Sequence, residues 1–246
     1  MLTSLHSLVQ TRKLTITATT LRETIRANHA RVQERVAAAA ARAGRDPADV
    51  TTVAITKTFE LPVIEAAHAV GLRDLGENRV QEAQAKIATA PAGIRWHLVG
   101  HLQRNKARIA APLFHLIQSV DSLRLARALD RYRHDDQPVL IQVNLTGNPG
   151  QHGVHPDELP GLAATIAAET ALRLDGLMTI APFVDEEAVL RPVFGRLREL
   201  RENLTTALPE QSWTHLSMGM TSDFEYAVAE GATIIRVGRA IFGERS

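Results

Sequence analysis

The chain of 246 residues contains no cysteine. Disulfides, thiolate nucleophiles and cysteine-ligated metals are therefore excluded, and a reducing compartment such as the cytoplasm suits the composition. Nor is there a surplus of charge: 28 Lys and Arg stand against 27 Asp and Glu, a net charge of +1. Nothing global then attracts DNA, RNA or an anionic membrane, although a local anion site remains open. No uninterrupted apolar run approaches the roughly 18 residues of a membrane span. The opening "MLTSLHSLVQTRKLTITA" is broken by Thr-Arg-Lys and has no small-residue cleavage pattern, so it does not read as a signal peptide. Residues 1–18 are expected to be a flexible extension, with a single domain over 19–246.

What is present is alternation. A helical pattern opens at "TTLRETIRANHARVQERVAAAAARAGRD", with Leu21, Ile25, Val32 and Val36 near helical spacing and Gly44 as a stop. The Ala-rich tract 37–41 fits the same helix. After it come eight short strand-type runs: "TTVAITK", "LRDLGE", "RWHLVG", "LIQSV", "PVLIQVNL", "LRLDGLMT", "THLSMG" and "TIIRVG". Helix-type stretches such as "VIEAAHAVG" and "VLRPVFGRLRELRENL" separate them. Regular β/α alternation of that count predicts an α/β fold, a single (β/α)8 TIM barrel. The alternative is an open doubly wound sheet, but no G-x-G-x-x-G follows the first strand. No low-complexity linker divides the chain.

In such a barrel, function sits at the C-terminal ends of the strands. The polar residues at those ends are Lys57, Glu77, Asn78, His97, His101, Asn144, Met178 with Thr179, Ser217 to Met220, and Arg236 to Arg239. Lys57 is the lysine at the end of an inner strand; Lys13, Lys86 and Lys106 fall in the extension or in helical, polar contexts. Desolvation in a barrel lowers a lysine pKa from about 10.4 toward the range where the amine is nucleophilic. The competing reading is an ion pair with Glu77 or another rim carboxylate, and position alone does not separate the two.

The last two turns do. "LSMGMTSDFEYAVAEGA" passes through Gly219 into a helix with a candidate capping box, Ser222 to Glu225, and "IIRVGRAIFGE" passes through Gly238 into a short helix. Backbone N–H groups there, the Ser217 hydroxyl and the helix dipoles make an anion site without net charge. A Schiff-base lysine facing a phosphate cup suits an aldehyde phosphate, of which pyridoxal 5′-phosphate (PLP) is the obvious candidate.

The stretches "TKTFELPVIEAAHAVGLRDLGENRVQEAQAK", "RWHLVGHLQRNKAR", "IQSVDSLRLARALD", "VLIQVNLTGNPGQHG", "LDGLMTIAP" and "LSMGMTSDFEYAVAEGATIIRVGRAIFG" resemble the pyridoxal phosphate homeostasis proteins, the YggS/PROSC family, over residues 20–244. The resemblance implies a barrel like the alanine racemase N-terminal domain, PLP on a lysine, and a role in holding or passing on the cofactor without established turnover. Lys57 would be the Schiff-base lysine. Ser217, Gly219, Gly238 and Arg239 would form the phosphate cup, and Arg236 would face the pyridine nitrogen, where a cation disfavours ring protonation. Asn78, His97 and Met178 would surround the ring. The motif "GHLQRNK", with His101, Gln103, Arg104, Asn105 and Lys106, receives no role. Arg239 stands where the family usually has a small hydroxyl residue, which exchanges a hydroxyl contact for the backbone N–H or a guanidinium and shifts affinity by about 1 kcal/mol in one direction or the other.

A PLP-dependent racemase is the competing function, and it needs two bases on opposite faces of the substrate carbon. In alanine racemase the second base is a tyrosine from a further domain, which is not expected here because the chain stops at Ser246. Tyr132 and Tyr226 fall in helical segments away from the strand ends. A cofactor-free Schiff-base aldolase using His97 and Glu77 is a third reading. The expectation is thus a non-catalytic, cytoplasmic PLP carrier with no metal, no nucleic acid and no membrane, a monomer or weak dimer with PLP-dependent apoenzymes as candidate recipients.

Overall fold

The computed structural model describes residues 2–133 and 136–243, with side chains from residue 19. The extension expected over residues 1–18 lies outside the residues described in side-chain detail. Helix α1 (Leu2–Arg42) leads into eight β/α units. The strands are β1 (Thr51–Ile55), β2 (Asp74–Glu77), β3 (Arg95–Leu98), β4 (Leu116–Val120), β5 (Pro138–Gln142), β6 (Arg173–Met178), β7 (His215–Ser217) and β8 (Ile234–Val237). Each is followed by a helix: α2 (Leu61–Ala69), α3 (Val80–Ile87), α4 (Ala107–Ala110), α5 (Leu123–Asp130), α6 (Leu159–Glu169), α7 (Glu187–Ala207), α8 (Phe224–Ala229) and α9 (Arg239–Phe242). Neighbouring strands pair in parallel in chain order, and β8 returns to β1 with Thr51 opposite Ile234 and Ala54 opposite Val237. That closure rules out the open doubly wound sheet.

Side-chain alternation decides what each strand presents. Ala54, Leu75, Trp96, Leu98, Ile117, Ile141, Leu216 and Val237 face outward into the layer beneath the helices. Val53, Ile55, Leu116, Leu140, Met178 and Ile234 face inward and form a second, smaller apolar cluster. The remaining inward positions include His97, Gln118, Ser217 and Arg236, all buried. The barrel interior is therefore a packed core with a polar layer rather than a pore.

Two local features set the strand ends. In β6, Leu174 pairs with Val139 but Gly176 with Leu140, so Asp175 is an extra residue that bends the strand. Gly176 has φ +146°, and an added Cβ would lie 1.9 Å from the His215 carbonyl oxygen, so this crossing admits only glycine. Helix α1 buries Ile25, Val32, Val36 and Ala39 against the barrel and ends at Gly44, whose φ of +64° terminates the helix. Arg45 then donates to the carbonyls of Val228 (2.5 Å) and Ala232 (2.9 Å), capping the end of α8.

The capping box expected from Ser222 to Glu225 does not form. Helix α8 begins at Phe224, and Asp223 uses its carboxylate to accept the Met220 N–H at 2.5 Å. Glu225 turns instead to α1, where Arg35 holds it bidentately at 3.0 and 2.7 Å and lies 4.5 Å over the Phe224 ring. A full opposite charge outcompetes a backbone N–H for that carboxylate.

Candidate functional site

Lys57 lies in the turn just beyond β1, two residues after the inward-facing Ile55, and is half-buried. Its backbone is held from both sides. The Thr56 hydroxyl donates to Glu77 Oε1 at 2.7 Å, and Lys86 Nζ donates to the Thr56 carbonyl at 2.8 Å. The Thr58 N–H donates to Glu82 Oε1 at 2.5 Å. Lys86 joins these anchors by pairing with Glu77 at 2.9 Å and Glu82 at 2.6 Å. Glu77 is fully buried, and burial pushes its carboxyl up despite the bonds from Lys86 and Thr56. Glu77, the carboxylate considered as a partner for Lys57, pairs with Lys86. Thr58 has φ +68°, rare for a β-branched residue, and the anchoring network holds that strain beside Lys57. Phe59 then packs on Phe242 with ring centroids 5.2 Å apart, tying this loop to α9.

The neighbouring arc β6–β7–β8 supplies Met178, Ser217 and Arg236. Met178 pairs with Ser217 across the sheet. Arg236 is fully enclosed; burial lowers its pKa to about 10, which leaves it charged at neutral pH, with Asp223 the carboxylate that opposes this. It donates to Ser217 Oγ at 2.7 Å and to the Thr179 carbonyl at 2.7 Å. Because Ser217 accepts from Arg236, its own proton goes to Gln118 Oε1 at 2.6 Å. Gln118 Nε2 then faces His97 Nδ1 at 3.1 Å, and His97 Nε2 faces Asp74 Oδ1 at 3.0 Å. Donors run in one direction across the barrel, from a buried cation to a buried anion, an arrangement in which each bond polarises the next. Burial alone would raise Asp74, but hydrogen bonds and charge from His97 and Arg95 bring it down to about 2.

The two glycine turns close the arc. Gly219 has φ +91°, and a Cβ there would lie 2.7 Å from Ala227 Cβ and 2.8 Å from Phe224 Cα. At Gly238 the backbone is ordinary and a Cβ would meet only Ile55 at 3.5 Å, so the protein's own packing does not require glycine there. Among the described residues, neither the Gly219 nor the Gly238 N–H has a hydrogen-bond acceptor. Free N–H donors above an enclosed guanidinium fit an anionic group such as the phosphate of PLP.

Opposite this arc, a cavity of about 660 Å³ opens at the mouth, bordered by Asn78, Val99, His101, Gln142, Gln151 and Ile180 among others. On its wall the His101 and His152 rings stack at 3.6 Å, nearly parallel at 7°, with Asp121 Oδ2 3.4 Å from His101 Nδ1. These three residues bring ligand atoms within 4.8 Å of one another. The parallel rings direct their in-plane lone pairs along separate planes rather than at one ion.

Lys57, Met178, Ser217, Gly219, Arg236, Gly238 and Arg239 thus belong to adjacent strands β6, β7, β8 and β1 and their turns. Asn78 lines the mouth cavity, which Lys57 does not border. His97 sits lower in the barrel, between Asp74 and Gln118. Sequence reasoning missed Gln118, Lys86 and Glu82, which act on the site through Ser217 and the Lys57 loop.

A family model described as "Alanine racemase, N-terminal domain" matches residues 17–246. The pyridoxal phosphate homeostasis protein of Pseudomonas aeruginosa is 43% identical over 228 residues, 90% of this chain and 96% of that one. The structure of PipY from Synechococcus elongatus with PLP bound superposes with a TM-score of 0.76 at 39% identity, covering 86% of this chain and all of that one (100%). Alanine racemase from Corynebacterium glutamicum, at 17% identity and a TM-score of 0.65, shares the fold over 91% of this chain and 62% of its own length.

Proposed function

The chain belongs to the pyridoxal phosphate homeostasis protein family, on the alanine racemase N-terminal barrel, and from that premise we propose that it holds PLP as a Schiff base on Lys57 and acts as a carrier rather than a catalyst. The observation that carries this reading is that Lys57 follows β1, the strand paired with β8, while the Gly219 and Gly238 N–H groups lack acceptors among the described residues and the Arg236 cation is buried on β8. PLP supplies an aldehyde that condenses with a primary amine with loss of water, and a phosphate that an N–H cup can grip.

The residues divide that task. Lys57 offers the amine from a loop immobilised by Lys86 and Glu82. Gly219 and Gly238 offer backbone donors. Ser217 can add its hydroxyl only by turning its proton away from Gln118, so that donor is held in reserve. Arg236 presents a permanent cation toward the interior, a setting that keeps a nearby pyridine nitrogen unprotonated and so weakens the electron sink that carbanion chemistry needs.

For turnover, a second base would have to reach the opposite face of a substrate. Tyr226 lies in α8 against the core and Tyr132 follows α5, neither at a strand end. No helix among the described residues is long and apolar enough to cross a membrane. Adding PLP to cofactor-free protein should produce a visible absorption band that Lys57→Ala lacks. A colourless mixture, or an equal band in Lys57→Ala, would refute the reading of Lys57. Formation of D-alanine from L-alanine by the pure loaded protein would refute the carrier assignment.

A further inference from the structure

On the outer wall of the barrel, sharing no lining residue with the mouth cavity, a groove of about 680 Å³ runs between the 3-10 turn Arg104–Lys106 with α4 on one side and α5 on the other. Five arginines line it, Arg104, Arg108, Arg124, Arg127 and Arg131, together with Tyr132, and no acidic residue does. All are exposed. The motif "GHLQRNK", left without a role by the sequence, contributes Arg104.

Like charges gather here with little to offset them. Arg124, Arg127 and Arg131 share one face of α5 and its C-terminal extension, and Arg104 and Arg108 are spaced by four, so like charges adjoin within and between the elements. Arg124 also sits in the first turn of α5, where the helix dipole opposes a cation. Arg127 alone has a carboxylate, Glu169. The side chains of the other four make no ion pair or hydrogen bond among the described residues. In a chain of net charge +1, this local concentration is not a consequence of composition.

We infer that the groove is a binding site for a chain of phosphates of nucleotide size, distinct from the mouth of the barrel. Guanidinium forks match phosphate oxygens bidentately. Four uncompensated cations suit a ligand with about four negative charges, and the volume falls within the range of about 300–1,000 Å³ typical of small-molecule sites rather than that of a flat docking face. The Tyr132 ring, 44% exposed, offers a surface for a base. The shared chemistry is the phosphate chain, carried either by a nucleoside triphosphate or by inorganic polyphosphate.

The test is titration calorimetry of the full chain with ATP and with inorganic tripolyphosphate in magnesium-free buffer at physiological salt. Saturable binding of either is expected, weakened about tenfold by Arg104→Gln with Arg108→Gln and again by Arg124→Gln with Arg131→Gln. Loading the protein with PLP beforehand should leave it unchanged, as it would not if these ligands bound the PLP cup. Tighter ATP binding that Tyr132→Leu reduces to the tripolyphosphate level identifies a nucleotide; equal binding of the two identifies inorganic polyphosphate. Absence of saturable binding, indifference to the arginine substitutions, or displacement of ATP by single-stranded RNA or a polyglutamate peptide at lower concentration would overturn the inference.

Discussion

At the scale of single residues, the loop of the proposed Schiff-base lysine is anchored by a second lysine that touches none of the proposed chemistry. Lys86 is the counter-charge of the buried Glu77 and one of the anchors of the Lys57 loop. Its side chain is 11% exposed and that of Glu77 is 0%, so Lys86→Met would strand a buried carboxylate and should cost about 3 kcal/mol in urea unfolding, with slower PLP loading. Unchanged stability would mean that Glu77 takes up its proton at no cost. Gln118→Leu removes the link between Ser217 and His97 and should destabilise by about 1–3 kcal/mol. It was illegible in the sequence because "LIQSV" reads as a plain buried strand, and Gln118 meets Ser217 only when the barrel brings together residues 99 apart. Lys57, Ser217 and Arg236 were legible because each ends or interrupts an apolar run of strand length. Lys86 lies in an amphipathic helix, where a lysine usually means solvent.

At the scale of elements, the two glycine turns make unlike demands. Gly219→Ala places a methyl against α8 at a positive φ and should cost about 3 kcal/mol in stability. Gly238→Ala meets only ordinary contact, so stability should stay within about 0.5 kcal/mol while PLP affinity, read by fluorescence titration, falls. Weakened stability with intact affinity would reverse the roles assigned to the turns. All eight strands were legible from the alternation of short apolar runs with helical ones. The start of α8 was not, since Glu225 is claimed by Arg35, a residue 190 positions away that no local pattern contains.

At the scale of the molecule, closure sets a donor chain across the interior from Arg236 to Asp74, and the chain ties stability to pH. Asp74 titrates at about 2 in the folded state against an ordinary 3.8. The lowered folded value means that its contribution is present above about pH 4 and lost as the pH falls through about 2. The shift corresponds to at most about 2 kcal/mol, and less in practice because Arg95, 52% exposed, is screened by solvent. The stability gap between the protein and Asp74→Asn should therefore shrink as urea unfolding is moved from pH 6 to pH 2. A constant gap would place the contribution of Asp74 elsewhere. The proposed function has Lys57 and the glycine-turn cup converge on one bound PLP. Reduction of the PLP-loaded protein with borohydride, followed by peptide mapping, tests that convergence most directly. Of Lys13, Lys57, Lys86 and Lys106, Lys57 alone should carry the phosphopyridoxyl group; a label on another lysine, or on none, would contradict the account.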